Sequence, residues 1–256
     1  IDYYGVWIEN LENEGYVIYQ TTYGSVNSTL LENYDVLIVG DYINSFDLSE
    51  FSAIQDFVYK GGDLIILGPK PEFSPSLVLP KYRELTEFAG IDWALSILDS
   101  VYLATNITAH YVTEGVSSIW LKEPGLRINM TYASAQSLTE LQHDSTYETM
   151  LAVSKAGAGK VICFASTQSL QDSYIWQADN LRLAVNMVNW SIKKDETWLV
   201  FSLIIGALTG LAIPIVIFLG IFRREILKAS PAWLRINYER FRLLLQSKLS
   251  RSRQKN

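Results

Sequence analysis

Two apolar stretches, Tyr34-Asp-Val-Leu-Ile-Val-Gly40 and Asp63-Leu-Ile-Ile-Leu-Gly68, decide the fold of this chain. Each is a short continuous apolar run, which is typical of a strand buried on both faces of a parallel sheet. Between them lies a segment with apolar residues at helical spacing, which begins after Asp47 and ends at Gly61-Gly62. Strand, helix and strand in this order predict a βαβ unit and therefore an α/β fold.

Further elements continue the alternation on both sides of this unit. Periodicity and turn residues predict, in chain order, a helix over Tyr3–Asn13, a strand at Tyr16–Tyr19, a helix over Lys81–Ala89, antiparallel strands within Ile91–Tyr132 with Glu123-Pro-Gly125 as a turn between two of them, a hairpin over Met150–Ala165 and a helix over Asp179–Ile192. We therefore expect a mostly parallel sheet with an added antiparallel β layer.

The run from Thr197 to Phe222 contains no charged residue, and Arg223-Arg224 follow it directly. At ~1.5 Å rise per residue, it exceeds the ~20 residues that a helix needs to cross ~30 Å of hydrocarbon. The sequence thus predicts three parts: an α/β domain over residues 1–194, a transmembrane helix over 197–222 and a basic tail over 223–256.

Charge is divided unequally between the two sides of this run. The tail after Phe222 holds ten basic and two acidic residues, so the totals of 21 and 27 leave 11 basic and 25 acidic residues before it. Basic residues close to a span remain cytoplasmic. We expect a single-pass protein of the cell membrane, with the acidic domain outside the cytoplasm and the basic tail inside.

Four glycosylation acceptor patterns precede the predicted span, as an extracytoplasmic domain requires. They begin at Asn27, Asn106, Asn129 and Asn189. Asn189 falls on a predicted helix close to the membrane and is expected to be unmodified. The single cysteine, Cys163, excludes an intrachain disulfide framework.

The C-terminal part also carries signals for partners. Gly206 and Gly210, with small residues beside them, give the predicted span a face that another helix can approach closely. In the tail, residues 231–249 place Leu234, Tyr238, Phe241, Leu245 and Leu249 on one stripe flanked by arginines. Such a helix is expected to lie on an anionic cytoplasmic leaflet or to dock on a partner, and the charges need no nucleic acid.

Several motifs in the first 191 residues resemble the class I glutamine-amidotransferase-like domains. They are Glu14-Gly-Tyr16, the two apolar strands, the helix end Phe57-Val-Tyr-Lys-Gly-Gly62, the stretch Ile107–His110 through Glu114-Gly115, and Gly159–Phe164 with Asp179-Asn180. More narrowly, they resemble the GIFT branch, which includes an intraflagellar transport protein, a gliding-motility transporter component and the forty-eight-kilodalton subunit of oligosaccharyltransferase.

This resemblance implies a flavodoxin-like sheet. The arrangement of an exterior domain before one span also resembles the oligosaccharyltransferase subunit, in a simpler, archaeal-type version. The family has a strand before its first helix, whereas this chain begins inside that helix. We expect a removed signal peptide or a first strand before Ile1, or a partner that supplies that strand.

The family's catalytic residues have no counterpart in the motifs. An amidotransferase of this fold places a nucleophilic Cys on a tight turn after a central strand, beside a His and an acid. Gly68-Pro-Lys-Pro71 offers neither Cys nor Ser, and Cys163 lies in mid-strand as a small apolar residue. His110 and His143 lack ligand spacing, and His110 is either a site residue or a hydrogen-bonded structural histidine. We expect neither catalysis by this chain alone nor a metal or cofactor.

A candidate ligand edge remains. Asp41 follows the first apolar strand, and open α/β sheets bind ligands beyond the carboxyl ends of their strands. The acidic residues that could approach it are Asp47, Glu50, Asp172 and Asp179. We favour the alternative, in which Asp47 and Asp179 cap helices and the others are solvated.

Four functions remain open. The first is a non-catalytic accessory subunit of a membrane complex, most specifically an oligosaccharyltransferase-like N-glycosylation complex with an integral membrane catalytic subunit and other small membrane subunits. The others are an extracytoplasmic component of an ABC-type transporter or motility system, a stand-alone ectodomain that binds glycans or peptides, and a degenerate hydrolase.

Overall fold

The structure, a computed structural model, describes residues 3–20, 25–40, 46–70, 74–96, 98, 100–143 and 146–193. These residues all lie in the unit Ile1–Lys194. The helices are α1 (Gly5–Asn13), α2 (Ser28–Leu31), α3 (Leu48–Tyr59), α4 (Pro75–Thr86) and α5 (Asn180–Ile192). The strands are β1 (Val36–Val39), β2 (Asp63–Leu67), β3 (Ile91–Leu95), β4 (Val101–Ala104), β5 (Asn106–Ile107), β6 (Ile119–Lys122), β7 (Leu126–Met130), β8 (Gln136–His143), β9 (Thr146–Ala156) and β10 (Gly159–Phe164).

Eight strands form one mixed sheet with the order β1-β2-β10-β9-β7-β3, to which β8 and β5 are added beside β9. The pairs β1–β2 and β2–β10 are parallel, with Ile38 opposite Ile65 and Cys163 opposite Ile66. All pairs from β10 to β3 are antiparallel. β4 and β6 make a separate antiparallel ribbon. The described residues therefore form a mixed α/β domain.

The expectation of a mostly parallel sheet with an added antiparallel layer holds only in part. Three strands are parallel, and the antiparallel strands continue the same sheet instead of covering it. The reason is the tight turn between Ala156 and Gly159, which are paired with each other. Because this hairpin reverses the chain inside the sheet, β9 offers its other edge to β7 and β8.

The βαβ unit, the first helix, the Met150–Ala165 hairpin and the closing helix are confirmed within a few residues. The predicted helix over Lys81–Ala89 begins earlier, at Pro75, where proline fits the first turn. The prediction of a strand at Tyr16–Tyr19 was wrong. That segment has no ladder pairing among the described residues, and side chains hold it instead, with Tyr16 bonded to Asn189 and the Tyr19 ring against Tyr34.

Two errors concern the antiparallel part. Glu123-Pro-Gly125 does not join a hairpin, because β6 pairs with β4 whereas β7 pairs with β3. The second error is that β8 was not predicted. A register shift at Thr139 buries Leu138 and Thr139 in succession, so buried and exposed residues do not alternate there as expected of a strand.

The core lies on both sides of β2, whose five residues are all buried because α3 and α5 both pack against the strand. β1 differs from the sequence expectation of a fully buried strand. It is the last described strand on its side of the sheet, and Ile38 is 38% exposed. Parallel strands β1, β2 and β10 thus end at one edge, which we call the carboxyl edge, and begin at the other, the amino edge.

No helix among the residues just described is long and apolar enough to cross a membrane. The predicted span over 197–222, its Gly206 and Gly210, and the tail helix over 231–249 all lie outside these residues.

Candidate functional site

The carboxyl edge is where an α/β sheet of this kind binds ligands, so its side chains define the candidate site. Gly68 follows β2, and Ser166 and Thr167 follow β10. Gly40 follows β1, but its neighbour Asp41, the predicted ligand residue, lies outside the described residues.

Gly68 brings the ends of β2 and β10 into direct contact. Its N–H donates to the carbonyl of Phe164 at 2.7 Å, and its carbonyl accepts from the N–H of Thr167 at 3.2 Å. A Cβ at this position would lie 2.3 Å from the carbonyl oxygen of Ala165. Because that oxygen belongs to the backbone, a side chain here would force the two strands apart.

The hydroxyls beyond β10 are used in structural hydrogen bonds. Ser166 donates to the carbonyl of Lys122 at 2.7 Å and lies 2.7 Å from the Ser169 hydroxyl. Ser169 in turn accepts from the N–H of Lys122 at 2.9 Å, so these contacts tie β6 to β10. Thr167 is fully buried and shares a 2.7 Å hydrogen bond with the phenol of Tyr4.

Asp172 holds the start of α1 at the same edge. Its carboxylate accepts from the backbone N–H groups of Gly5 at 3.1 Å and Val6 at 2.8 Å, and its own N–H donates to the carbonyl of Tyr3. Tyr4, the residue before the helix, makes no side-chain cap of its own. Asp172 therefore supplies the cap from a distant part of the chain. Lys70 lies above the Tyr3 ring, 4.6 Å from its centroid.

The acidic residues that the sequence grouped around Asp41 have separate structural roles. Asp47 caps α3 through the N–H groups of Ser49 and Glu50, as predicted. The Ser49 hydroxyl contributes most to lowering the pKa of the Asp47 carboxyl. Glu50 completes a capping box and is buried, rather than solvated, because it also accepts from the N–H of Val26 at 2.8 Å.

Asp179 was expected to cap the last helix, and this was wrong. Its side chain makes no capping hydrogen bond to α5 and instead accepts from the N–H and hydroxyl of Ser117 and from the N–H of Ser118. These bonds, the backbone bond from Ser117 first, hold the pKa of Asp179 below its ordinary value of 3.8. These donors directly precede β6, whose first residue, Ile119, forms an isolated bridge with Ala178.

His110 lies at the other end of the sheet, and Cys163 lies inside the core. His110 packs 5.0 Å from the Trp190 ring near the end of α5, which runs back to the amino edge. Its Nδ1 accepts from the N–H of Val112 at 3.2 Å. His110 and Gly40 are thus at opposite ends of the sheet. His143 is the last residue of β8. Cys163 is fully buried in β10, and burial raises the pKa of its thiol well above the ordinary value, so the neutral thiol is favoured.

No cluster of three His, Cys, Asp or Glu residues with metal-binding geometry occurs in the described part of the chain. An apolar cleft with a volume of about 350 Å³ lies between α4 and the β3–β7 pair. Ser96 in its wall donates to the buried carboxylate of Glu148 at 2.7 Å, and Arg127 donates to the same carboxylate at 3.1 Å. The cleft therefore lies next to an ion pair that the sequence did not reveal.

Three of the four glycosylation acceptors are exposed. Asn27 caps α2 through the N–H of Leu30, while Asn106 and Asn129 lie on β5 and β7. Asn189 is half-buried, and its side-chain oxygen accepts from the Tyr16 phenol at 2.5 Å. The geometry of Asn189 is therefore the least open to an incoming glycan.

A partly exposed surface of aromatic and apolar side chains was also missed from the sequence. Trp120 on β6 stacks on Tyr174, with ring centroids 5.1 Å apart and an interplanar angle of 23°. Trp176, two residues further along, is 64% exposed, and Leu103 opposite Trp120 on β4 is 55% exposed. We call Leu103, Trp120, Tyr174 and Trp176 the aromatic patch. The residues lie in three separate segments, so only the fold brings them together.

Comparison with known proteins gives a likeness in fold. No protein-family model matches the chain, and no curated protein sequence matches it. Among solved structures, the mmIFT52 N-terminal domain is similar over 73% of this chain and 90% of that chain, with 15% identity and a TM-score of 0.57. A cytoplasmic protein from Salmonella typhimurium covers 75% and 89% with 17% identity and a TM-score of 0.54. A ThuA-like protein from Bacteroides uniformis covers 75% and 84% with 16% identity and a TM-score of 0.52. At these identities the likeness concerns the fold alone.

Proposed function

We propose that this protein is a membrane-anchored, non-catalytic accessory subunit whose exterior domain has an amidotransferase-like fold of the GIFT type. The complex that fits best is an oligosaccharyltransferase-like one, in which the domain braces the exterior face of an integral membrane catalytic subunit. The fold likeness to the ThuA-like protein and to the mmIFT52 domain supports the amidotransferase-like assignment. The motifs of the sequence support the GIFT branch.

The observation that carries the non-catalytic role is the use of the carboxyl edge. Its described polar groups hold structure together: Asp172 caps α1, Thr167 bonds Tyr4, and Ser166 bonds the end of β6. Gly68 leaves no room for a side chain between the two strand ends. A nucleophile also needs a base within hydrogen-bond reach, and His110 lies at the other end of the sheet.

The aromatic patch supports a role in binding another protein. Exposed tryptophan and tyrosine are enriched at the energetic centres of protein interfaces, because they bury large areas with little loss of conformational freedom. Val101, beside the patch on β4, is also exposed. An exposed apolar surface, together with described carboxyl-edge polar groups that are used in structural hydrogen bonds, fits a bracing subunit.

The membrane anchor of this proposal is the apolar run Thr197–Phe222, with Gly206 and Gly210 as the face that packs on a partner's span. We expect the domain outside the cytoplasm and the basic tail inside, as the charge distribution predicts.

The direct test is purification of the native protein in mild detergent, followed by mass spectrometry of the proteins that remain bound in stoichiometric amount. A multi-span glycosyltransferase should be among them. Gly206→Leu with Gly210→Leu should release it, whereas Leu208→Phe, which adds bulk on the opposite helix face, should not. Retention by the glycine double variant, or a transporter permease in place of the glycosyltransferase, would count against the proposal.

A stand-alone glycan-binding domain is a second candidate, favoured by the stacked Trp120 and Tyr174 rings beside the exposed Trp176. It predicts that oligosaccharides stabilise the purified protein without any partner and that Trp176→Ala abolishes this effect. Loss of partner binding in Trp176→Ala, with no response to oligosaccharides, would instead support the accessory subunit.

A further inference from the structure

The C-terminal end of α5 is held by a buried lysine. Lys160, at the start of β10, is only 7% exposed. Its ammonium group donates to the carbonyls of Trp190 at 2.8 Å, Ser191 at 3.2 Å and Lys193 at 2.5 Å. The last carbonyls of a helix have no partners within it, and a positive charge there is favoured by the helix dipole. The end of α5 is therefore fixed to the sheet at the amino edge.

Basic and aromatic side chains surround this fixed end on the surface. The ammonium group of Lys193 lies 3.9 Å from the ring centroid of Tyr111, which is 56% exposed. His110, beside Tyr111, packs on Trp190, and burial followed by the charge of Lys155 lowers its pKa. Lys155 lies opposite Lys160 in the β9–β10 pair and is exposed. We call His110, Tyr111, Lys155 and Lys193 the α5-end patch.

The charge of this patch contrasts with that of the domain. The chain before the tail holds 25 acidic and 11 basic residues, yet three of the eight lysines before Asp195, namely Lys155, Lys160 and Lys193, gather at the end of α5. The acidic residues near this end include the exposed Glu114 and Glu14, the latter two positions before the Tyr16 that bonds Asn189. They also include Asp63, whose carboxylate accepts from the backbone N–H of Lys160 at 2.6 Å. Attraction to an anionic surface at this end therefore depends on the exposed side chains of Lys155 and Lys193.

With the membrane anchor of the proposed function, the patch would be close to a bilayer. Lys193 is four residues from Thr197, where the apolar run begins, so at most about 14 Å of extended chain separates them. Lysine near anionic headgroups and tyrosine at the membrane–water interface are both favourable. We propose that the α5-end patch docks on anionic phospholipid headgroups of the exterior leaflet. This inference rests on the membrane anchor of the proposed function.

Docking would set the orientation of the whole domain. α5 runs from Asn180 near the carboxyl edge to Ile192 at the amino edge, and its 13 residues span about 20 Å. The amino edge would face the lipid, while the carboxyl edge and the aromatic patch would point away from it. Docking of the α5-end patch would thus hold the aromatic patch at a fixed distance from the bilayer.

The experiment uses the full chain in lipid nanodiscs of phosphatidylcholine alone or of phosphatidylcholine with phosphatidylglycerol. Glu114→Cys carries a fluorophore, and a nitroxide on the lipid headgroup quenches it at close range. Cys163 is fully buried and will not be labelled. Ser173→Cys, exposed at the opposite end of the domain, is the control position.

We expect strong quenching at position 114 in the anionic discs, weak quenching in the neutral discs and none at position 173. Lys155→Glu with Lys193→Glu should weaken docking by about thirty-fold or more, given the attraction expected of two lysines near an anionic surface. Lys155→Arg with Lys193→Arg, which keeps the charge, should behave as the wild type. Salt of about 1 M should undock the wild type, because it shortens the screening length to roughly 3 Å.

Equal quenching in neutral and anionic discs, or no effect of the glutamate pair, would overturn the proposal. A chain that fails to enter the discs at all would instead refute the membrane anchor, so the two failures are distinguishable. Circular dichroism of the glutamate pair should match the wild type, because both side chains are exposed. The Tyr111→Ser variant gives an independent test, since loss of the exposed ring should weaken docking without any change in charge.

Discussion

Asp172 accepts a 2.8 Å hydrogen bond from the backbone N–H of Val6, a residue 166 positions earlier in the chain. A second bond, from Gly5 to the other carboxylate oxygen, completes a cap on α1 that the helix lacks locally. The start of the first helix is therefore stabilised by the segment that follows β10.

Asp172→Ala should lower the free energy of unfolding by about 1 to 2 kcal/mol, as loss of an N-terminal helix cap does. Chemical unfolding in mild detergent will measure the change. Asp56→Ala, which removes an exposed carboxylate from α3, should change stability by less than about 0.5 kcal/mol. Similar free energies of unfolding for the two variants would mean that the Asp172 cap does not stabilise the domain.

Arg127 and Glu148 form an ion pair in which the glutamate side chain is fully buried and the arginine is 37% exposed. Arg127→Met should lower the free energy of unfolding by about 3 kcal/mol, because it removes the positive charge beside a buried carboxylate that also accepts from the Ser96 hydroxyl. Arg127→Met with Glu148→Leu should recover most of this loss, since no buried charge remains. A double variant as unstable as Arg127→Met would show that packing, rather than charge, accounts for the cost.

Asp179 predicts acid sensitivity of the contact between α5 and β6. Because the folded state lowers the pKa of Asp179, the bonds from Ser117 stabilise the domain above the ordinary value of 3.8 and this stability is lost as pH falls through the folded value. Asp179→Asn should flatten the dependence of unfolding on pH below about 4. Parallel pH curves for the two proteins would contradict this assignment.

His110 predicts a second pH effect in a separate range. Burial and Lys155 lower its pKa from the ordinary 6.5, so the neutral ring is favoured in the folded state. The contribution of the neutral ring to the free energy of unfolding should be fully present above pH 6.5 and should be lost as pH drops from that value through the folded pKa. Protonation of the ring also removes the acceptor for the N–H of Val112. His110→Gln should abolish this fall, which thermal unfolding at pH 7.5 and 5 will show. An equal fall in the variant would point to other groups.

Local sequence patterns predicted the parts of the fold that local chemistry determines. The apolar runs at Val36–Val39 and Asp63–Leu67, the cap at Asp47 and the turn before Gly159 each depend on a few adjacent residues, and each lies where predicted. The strand β8 was not predicted, because its bulge at Thr139 depends on pairing with β9.

The candidate site was harder to predict because its groups come from distant segments. Asp172 was identified as an acidic residue near the carboxyl edge, but nothing in its neighbours indicates that it caps α1. The aromatic patch joins Leu103, Trp120 and Tyr174 through the β4–β6 ribbon, a pairing that no local pattern specifies. His110 lies in a stretch that resembles the family and was considered as a site residue, yet it packs on Trp190 of α5 at the amino edge.

Lys160 has a mechanical consequence. Tension on the chain beyond Lys193 would meet three hydrogen bonds from one ammonium group before it reached the rest of α5. Lys160 belongs to β10, which is paired with β2 on one side and β9 on the other, so the pull would pass into the middle of the sheet. The three bonds of Lys160 would therefore have to break before α5 separates from the sheet. The rate at which they break would then limit the rate of unfolding under force.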